Sequence, residues 1–218
     1  MLTPENISLR PINIILQNYH PGPVYGVSFF ITKGGECVFI CCTEQIFKGD
    51  RGNWVGSRIV YSQQSRLERR FKAIIESTGD YLSEKGYWGP VGIDIIDSTA
   101  SSHCGNDDRA TGTLDQGPRI VDLNVRMGSS APLGSLRSHF TSRGYDCATL
   151  LMLKFEKMSR MEFWRRMEDQ EDQERLVIIA WFKYLNEGTM MSQARIVIAG
   201  RDVQHKNTLV NKVKALAI

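Results

Sequence analysis

In the first third of the chain, apolar positions fall in short β-branched and aromatic runs divided by Gly and Pro. Residues 12–18 form one such run, which Pro21, Gly22 and Pro23 close as a turn. Residues 24–32 and 37–42 form two more, joined through Lys33, Gly34, Gly35 and Glu36, and this pattern predicts a β-hairpin. A short strand over 57–61 follows a Gly-rich turn. The spacing then changes. Leu67, Phe71, Ile74, Ile75, Thr78 and Leu82 recur every three to four residues with Arg and Lys between them, which predicts a helix over 63–85, capped by Gly86. Strands are predicted over 91–97 and 119–127, separated by a long polar, Gly-rich stretch at 98–118. A helix over 132–143 carries Pro near its start and Gly144 past its end. The remainder reads as a strand (150–155), a charged helix (160–174), two strands (176–184 and 194–199) and a last helix from His205. No strand–helix–strand rhythm runs through this order, so the expected fold class is α+β, an antiparallel sheet with flanking helices.

The stretch 119–134, RIVDLNVRMGSSAPLG, is the most informative part of the chain. On a strand it sets Asp122, Asn124 and Arg126 on one face and Val121, Leu123 and Val125 on the other, expected to face the core. A carboxylate, an amide oxygen and a guanidinium in a row are not required by packing. They suit a hard metal ion carrying phosphate: Mg²⁺ takes oxygen ligands and is commonly held by one or two carboxylates plus nucleotide phosphates. The segment 86–97, GYWGPVGIDIID, offers Asp94 as a partner carboxylate if the two strands are antiparallel neighbours. Arg126 suits bidentate contact with phosphate. Beyond it, residues 127–131 form a small-residue loop entering a helix, whose free N–H groups favour anions.

Composition narrows the picture without directing it. The 218 residues are 42% hydrophobic and 23% charged, ordinary for a globular protein. A net charge of +3 is too small to argue for nucleic acid or a membrane surface. No apolar run approaches the ~20 residues of a membrane helix. Five cysteines without regular spacing fit a reduced, cytoplasmic compartment.

The two segments 86–97 and 119–134 together resemble the closing half of the ATP-grasp superfamily, whose nucleotide site ends in a G-x-D strand and an acidic-x-Asn-x-Arg strand. The hairpin sequence LQNYHPGPVYGVSFFITKGGECVF is similar to the segment forming one wall of the ATP cleft. Within the superfamily the likeness is greatest to fungal members of secondary-metabolic type. It covers roughly residues 12–144. It implies that Asp94, Asp122 and Asn124 bind metal, that Arg126 is catalytic and steadies the transferred phosphoryl group, and that Gln17, Asn18 and Tyr19 contact adenine. It implies ATP with Mg²⁺ or Mn²⁺ as cofactors, a small-molecule carboxylate as substrate, and attack on an acyl phosphate by an amine or another nucleophile. Residues 1–62 would be a remnant of the nucleotide-covering subdomain and 63–218 the carboxyl-terminal subdomain with an added α/β segment.

Three departures accompany the likeness. Asp122 stands where many members have Glu, the ribose-binding acid falls near Val24, and the first ATP-grasp lobe with its lysines and glycine loop has no counterpart. The expectation is therefore a fragment or truncated gene model of a ligase, with a homo-oligomer or a missing N-terminal lobe as its partner. The alternative is a non-catalytic remnant acting as an interaction protein.

Other constellations read more simply. His103, Cys104, Asp107 and Asp108 match no zinc spacing. Cys37, Cys41 and Cys42 read as buried strand cysteines, and Gly34 with Gly35 as a hairpin turn without the ending of a phosphate loop. Met161, Trp164 and Met167 read as the buried stripe of the charged helix, and the acids after them as its solvated end.

Overall fold

The computed structural model describes residues 21–49, 52–98, 117–167 and 169–218. Eight strands form one antiparallel sheet: β1 (Val24–Ile31), β2 (Cys37–Lys48), β3 (Asn53–Val60), β4 (Gly89–Asp97), β5 (Pro118–Asn124), β6 (Cys147–Glu156), β7 (Leu176–Asn186) and β8 (Thr189–Gly200). Their order across the sheet is β5-β4-β1-β2-β3-β6-β8-β7. The front hairpins thus lie in the middle of the same sheet as the later strands.

Helix α1 (Gln64–Glu84) covers one half of one sheet face. Leu67, Phe71, Ile75 and Leu82 point inward from it onto Val27, Phe29, Ile31, Val91, Ile93 and Ile95. Period three-to-four on the helix meets period two on β1 and β4, so both apolar sets are buried together. Truncating the fully buried Phe71 to Ala costs about 3–5 kcal/mol. Gln64 fastens the helix start to the sheet: its side-chain amide accepts from Cys42 N at 2.8 Å and donates to Cys42 O at 3.0 Å, as a neighbouring strand would. At the other end Tyr87 N donates to Leu82 O and Gly86 N to Ser83 O, with Gly86 at φ +79°. That is the Schellman arrangement expected of a C′ glycine.

On the same sheet face, α6 (Val203–Lys214) and α4 (Arg160–Arg166) pack Leu209, Val213 and Phe163 against Leu151, Phe155, Ile196 and Ile198. The opposite face is covered by α2 (Ala131–Ser135) and α3 (Arg137–Thr141), where Leu133 and Phe140 meet Cys41, Ile59, Leu150 and Val197. Covered on both sides, β8 buries four successive residues from Ile196 to Ala199, so its apolar run is continuous rather than alternating.

Several expectations need correction. The helix expected over 132–143 is two short helices divided at Leu136 (φ −86°, ψ 2°). The charged helix over 160–174 is likewise two, α4 and α5 (Gln170–Glu174), because Met167 leaves helical geometry at ψ 65°. The inward residues there are Phe163 and Met167, whereas Met161 is 65% exposed; the buried side runs through Phe163 rather than Met161. Residues Val121, Leu123 and Val125 do not make a core face. A bulge leaves Val121 out of register, so Ile120 takes the position opposite Ile95. Strand β5 is also the edge of the sheet, beyond the strands that α1 covers, and Leu123 and Val125 remain exposed.

Among the described residues, Cys37, Cys41, Cys42 and Cys147 are free thiols. Burial raises the Cys41 thiol to about 11, so these cysteines are packing residues, not nucleophiles. Also among the described residues, no helix is long and apolar enough to cross a membrane. Gln17, Asn18, Tyr19, His103, Cys104, Asp107 and Asp108 lie outside the described residues.

Candidate functional site

The face of the sheet opposite α1 carries a cavity of about 240 Å³ over β5, β4, β1 and the end of β2. Asp94, Asp122, Asn124 and Arg126 all line it. Antiparallel pairing of β4 with β5 sets Asp94 directly across from Asp122, and Gly92 across from Asn124. Directly opposed residues have their Cβ atoms about 4.5–5.5 Å apart, so the two carboxylates share one small space. Ile93 pairs with Leu123 on the other face; a slip of β5 by one residue would turn Asp122 to the α1 side and leave Asp94 alone in the cavity.

Burial raises the pKa of Asp94 above the ordinary carboxylate range, a hydrogen bond from Gln45 opposes that rise, and the nearby Asp122 adds to it. Asn124 Nδ2 donates to Asp122 Oδ2 at 2.6 Å. Among the described residues, the one hydrogen bond of the Arg126 guanidinium is a 3.5 Å contact with Met127 O, on its own loop. It is therefore available to an incoming anion.

Sequence reasoning missed the polar chain beneath these groups. Gln45 Nε2 donates to Asp94 Oδ1 at 3.1 Å. Gln45 Oε1 accepts from Trp54 Nε1 and, at 2.8 Å, from Ser57 Oγ. Ser57 Oγ in turn lies 2.8 Å from Ser130 Oγ, in the loop that follows Arg126. Strand β2 positions Gln45, β3 positions Trp54 and Ser57, and the side-chain oxygen takes two donors while the nitrogen holds Asp94. Thr43, Glu44 and Gln45 are three polar residues in succession and hide the alternation, so the predicted strand stopped at Cys42, six residues short of Lys48.

Gly26, Gly92 and Gly128 keep the cavity open. A Cβ on Gly26 would stand 2.2 Å from Gln45 Nε2 and 3.3 Å from Asp94 Oδ1. The helix entered by the small-residue loop is only five residues long. Two N–H groups there are already used within the turn, Ala131 N to Gly128 O and Leu133 N to Ser130 O. The helix-terminus contribution to anion binding is correspondingly small, and Arg126 is left as the principal cationic group.

The donor set can be judged against a metal. Two carboxylates and an amide are hard oxygen donors, with no thiolate or imidazole among them, and such a set favours Mg²⁺ or Mn²⁺ over zinc. Among the described residues there is no group of three or more His, Cys, Asp or Glu that would hold an ion alone. Mg²⁺ fits on those terms, since it keeps waters and takes further oxygens from phosphate.

The eight-stranded antiparallel sheet with its flanking helices matches part of the fold of ATP-grasp enzymes. Solved structures bear out the fold. The chain is similar to N5-carboxyaminoimidazole ribonucleotide synthetase from Thermus thermophilus, with a TM-score of 0.57 and 12% identity over 91% of this chain and 52% of that one. It is similar to L-amino acid ligase from Bacillus licheniformis, with a TM-score of 0.53 and 12% identity over 91% and 54%. It is also similar to phosphoribosylglycinamide synthetase from Anaerococcus prevotii, with a TM-score of 0.52 and 10% identity over 92% and 53%. The chain spans about half the length of these structures. No protein-family model and no curated protein matches it.

Proposed function

We propose that the chain supplies the Mg-ATP-binding wall of an ATP-dependent carboxylate ligase. The observation that carries this reading is the cross-strand pairing of Asp94 with Asp122 beside Asn124 and Arg126 in one cavity. Two carboxylates facing each other repel, and a divalent cation between them relieves that repulsion. When bound, Mg²⁺ would supply positive charge to offset that of the nucleotide phosphates. Asp94 and Asp122 would hold the ion, Asn124 would add its amide oxygen, and the Gln45 amide would keep the Asp94 carboxylate oriented. Arg126 would meet the phosphate oxygens as a fixed cation. Phosphoryl transfer depends on positioning and charge neutralisation, so a site with metal ligands and an Arg is adequate for it without a protein nucleophile taking part. The substrate would be a small carboxylate activated as an acyl phosphate, then attacked by an amine or another nucleophile.

Thermal melting with and without Mg-ATP tests the binding step. At a hundred times Kd, ligand adds about 2.7 kcal/mol of stability. For a chain of this size that is a rise of roughly 5–10 °C. Wild type should show the rise and Asp122→Ala should not. Equal shifts in the two proteins, or none in either, would overturn the assignment.

A further inference from the structure

The sheet face that carries α1 and α6 holds a second, larger cavity, separate from the acidic one. It is a groove of about 640 Å³ floored by β3 and β6, with the outer end of β2 on one side and α6 on the other. Its apolar walls include Ile46, Val55, Leu151, Leu153 and Val210. Among the described residues its charged side chains are all cationic, Lys48, Arg58, Lys154, Lys206 and Lys214, and the one anionic group at its rim is the carboxylate of Ile218. Arg58 is already neutralised by Glu44, which accepts from its Nε at 2.9 Å.

Lys206 is the informative member. It is only 5% exposed, and among the described residues no hydrogen bond or ion pair reaches its amine. Burial, with Arg58 nearby, pulls its pKa below the ordinary lysine value, against a smaller opposing pull from Cys147. Its stem is buried while the amine itself still reaches solvent in the groove, and there, among the described residues, it has no carboxylate beside it and can meet an incoming anion. The geometry that holds it is firm: Asp202 caps α6 by accepting from His205 N at 2.8 Å. The Lys206 backbone lies so close to Gly200 that a Cβ there would come within 2.5 Å of Lys206 N.

We propose that this groove is a binding site for a small organic anion with a carboxylate or phosphate head and an apolar body, the head seated at Lys206 and the body along Leu151, Leu153 and Val210. The volume lies in the range typical of small-molecule sites, and an apolar cleft with a few convergent polar groups is their usual make-up. Long lysine stems can lie along the walls while their ammonium groups gather at the head. The proposal is independent of the Mg-ATP reading, since the two cavities lie on opposite faces of the sheet.

Isothermal titration calorimetry of the full chain with octanoate, octyl phosphate and 1-octanol tests it. The expected result is saturable binding of at least one anion, at least tenfold tighter than 1-octanol, and at least tenfold weaker in Lys206→Met. The tighter anion identifies the head group. A melting temperature for Lys206→Met no lower than wild type verifies its fold. The double variant Lys48→Gln/Lys214→Gln, which leaves Lys206 in place, should weaken the same anion by a smaller factor. No heat with either anion up to ~10 mM would overturn the proposal. So would a less than tenfold preference over 1-octanol, or a less than tenfold loss in Lys206→Met, because either marks general adhesion to exposed apolar surface. Retention of the Mg-ATP melting shift by Lys206→Met separates this outcome from any failure of the acidic site.

Discussion

Asp94 and Asp122 are direct cross-strand partners on β4 and β5, two acids facing each other across an antiparallel ladder. Like charges in that position destabilise by roughly 0.2–1 kcal/mol, and burial of Asp94 adds to the strain. Replacing Asp94 with Asn should therefore stabilise the metal-free protein by up to about 1 kcal/mol at neutral pH while removing the Mg-ATP melting shift. Urea denaturation and thermal melting, run side by side, read the two effects. A destabilised Asp94→Asn that still responds to Mg-ATP would contradict both.

The same pair sets a pH dependence. The folded pKa of Asp94 lies above its ordinary value of 3.8, so the folded state holds this proton more tightly than the unfolded chain does. The stability so gained is fully present below the unfolded pKa and is lost as pH rises through the folded one. The stability difference between wild type and Asp94→Asn should accordingly widen, in favour of the variant, as pH climbs from 3.8 through that window, and then level off. A difference that is flat with pH would show that Asp94 does not titrate abnormally.

Gln45 links that carboxylate to Trp54 and Ser57. Gln45→Leu removes the donor to Asp94 and strips two neighbours of their acceptor, so it should cost about 1–3 kcal/mol. Gly26→Ala attacks the same contact from the other side. Its methyl would displace the flexible end of Gln45 from Asp94 while β1 stays paired. We expect a small loss of stability and a loss of Mg²⁺ affinity of about tenfold, on the scale seen when a group that orients a metal ligand is altered. Titration of Mg²⁺ followed by melting temperature distinguishes the two: a Gly26→Ala variant with unchanged metal response would remove Gln45 from the site.

Just beyond the site, at the end of β4, Asp97 is 1% exposed and takes two bonds from Arg70, 2.6 Å from Nε and 2.7 Å from Nη2. This pair ties α1 to the strand that carries Asp94. Arg70→Met withdraws the cation and leaves a buried carboxylate, which should cost about 3 kcal/mol. Chemical denaturation measures it. A cost below about 1 kcal/mol would mean that the remaining contacts of Asp97 suffice.

Much of this site could be read from sequence because period two is rigid. Once 119–127 is taken as a strand, Asp122 and Asn124 must share a face, and only the pairing with 91–97 had to be found. Arg126 lies past the end of β5 at Asn124 and reaches the cavity from the following bend rather than from the strand. What could not be read depends on distant contacts. The bulge at Val121 and the edge position of β5 turn an expected core face into exposed Leu123 and Val125, and no local pattern announces either. The Ser130–Ser57–Gln45–Asp94 chain joins four elements far apart in sequence, each bringing one unremarkable polar residue. The exposure of Met161 has a related origin. The residue that faces the core is decided by where β6 and β8 stand, and a stripe this short gives too few turns to fix a phase.

Arg126 separates binding from fold most cleanly. Its one hydrogen bond among the described residues is the long contact to Met127 O, so folding does not depend on it. Arg126→Ala should leave stability within about 0.5 kcal/mol of wild type. If the guanidinium meets the terminal phosphate, the variant should lose Mg-ATP affinity by about tenfold or more, the scale of one charge-assisted hydrogen bond to an anion. Mg-ADP should be affected less, because it lacks the phosphate that Arg126 is placed to meet. Arg126→Lys should recover only part of the loss, since a point charge cannot reproduce a two-pronged contact. Calorimetric titration of both nucleotides against all three proteins decides the matter. Equal losses for ATP and ADP would move Arg126 to the inner phosphates, and no loss for either would place it outside the nucleotide site.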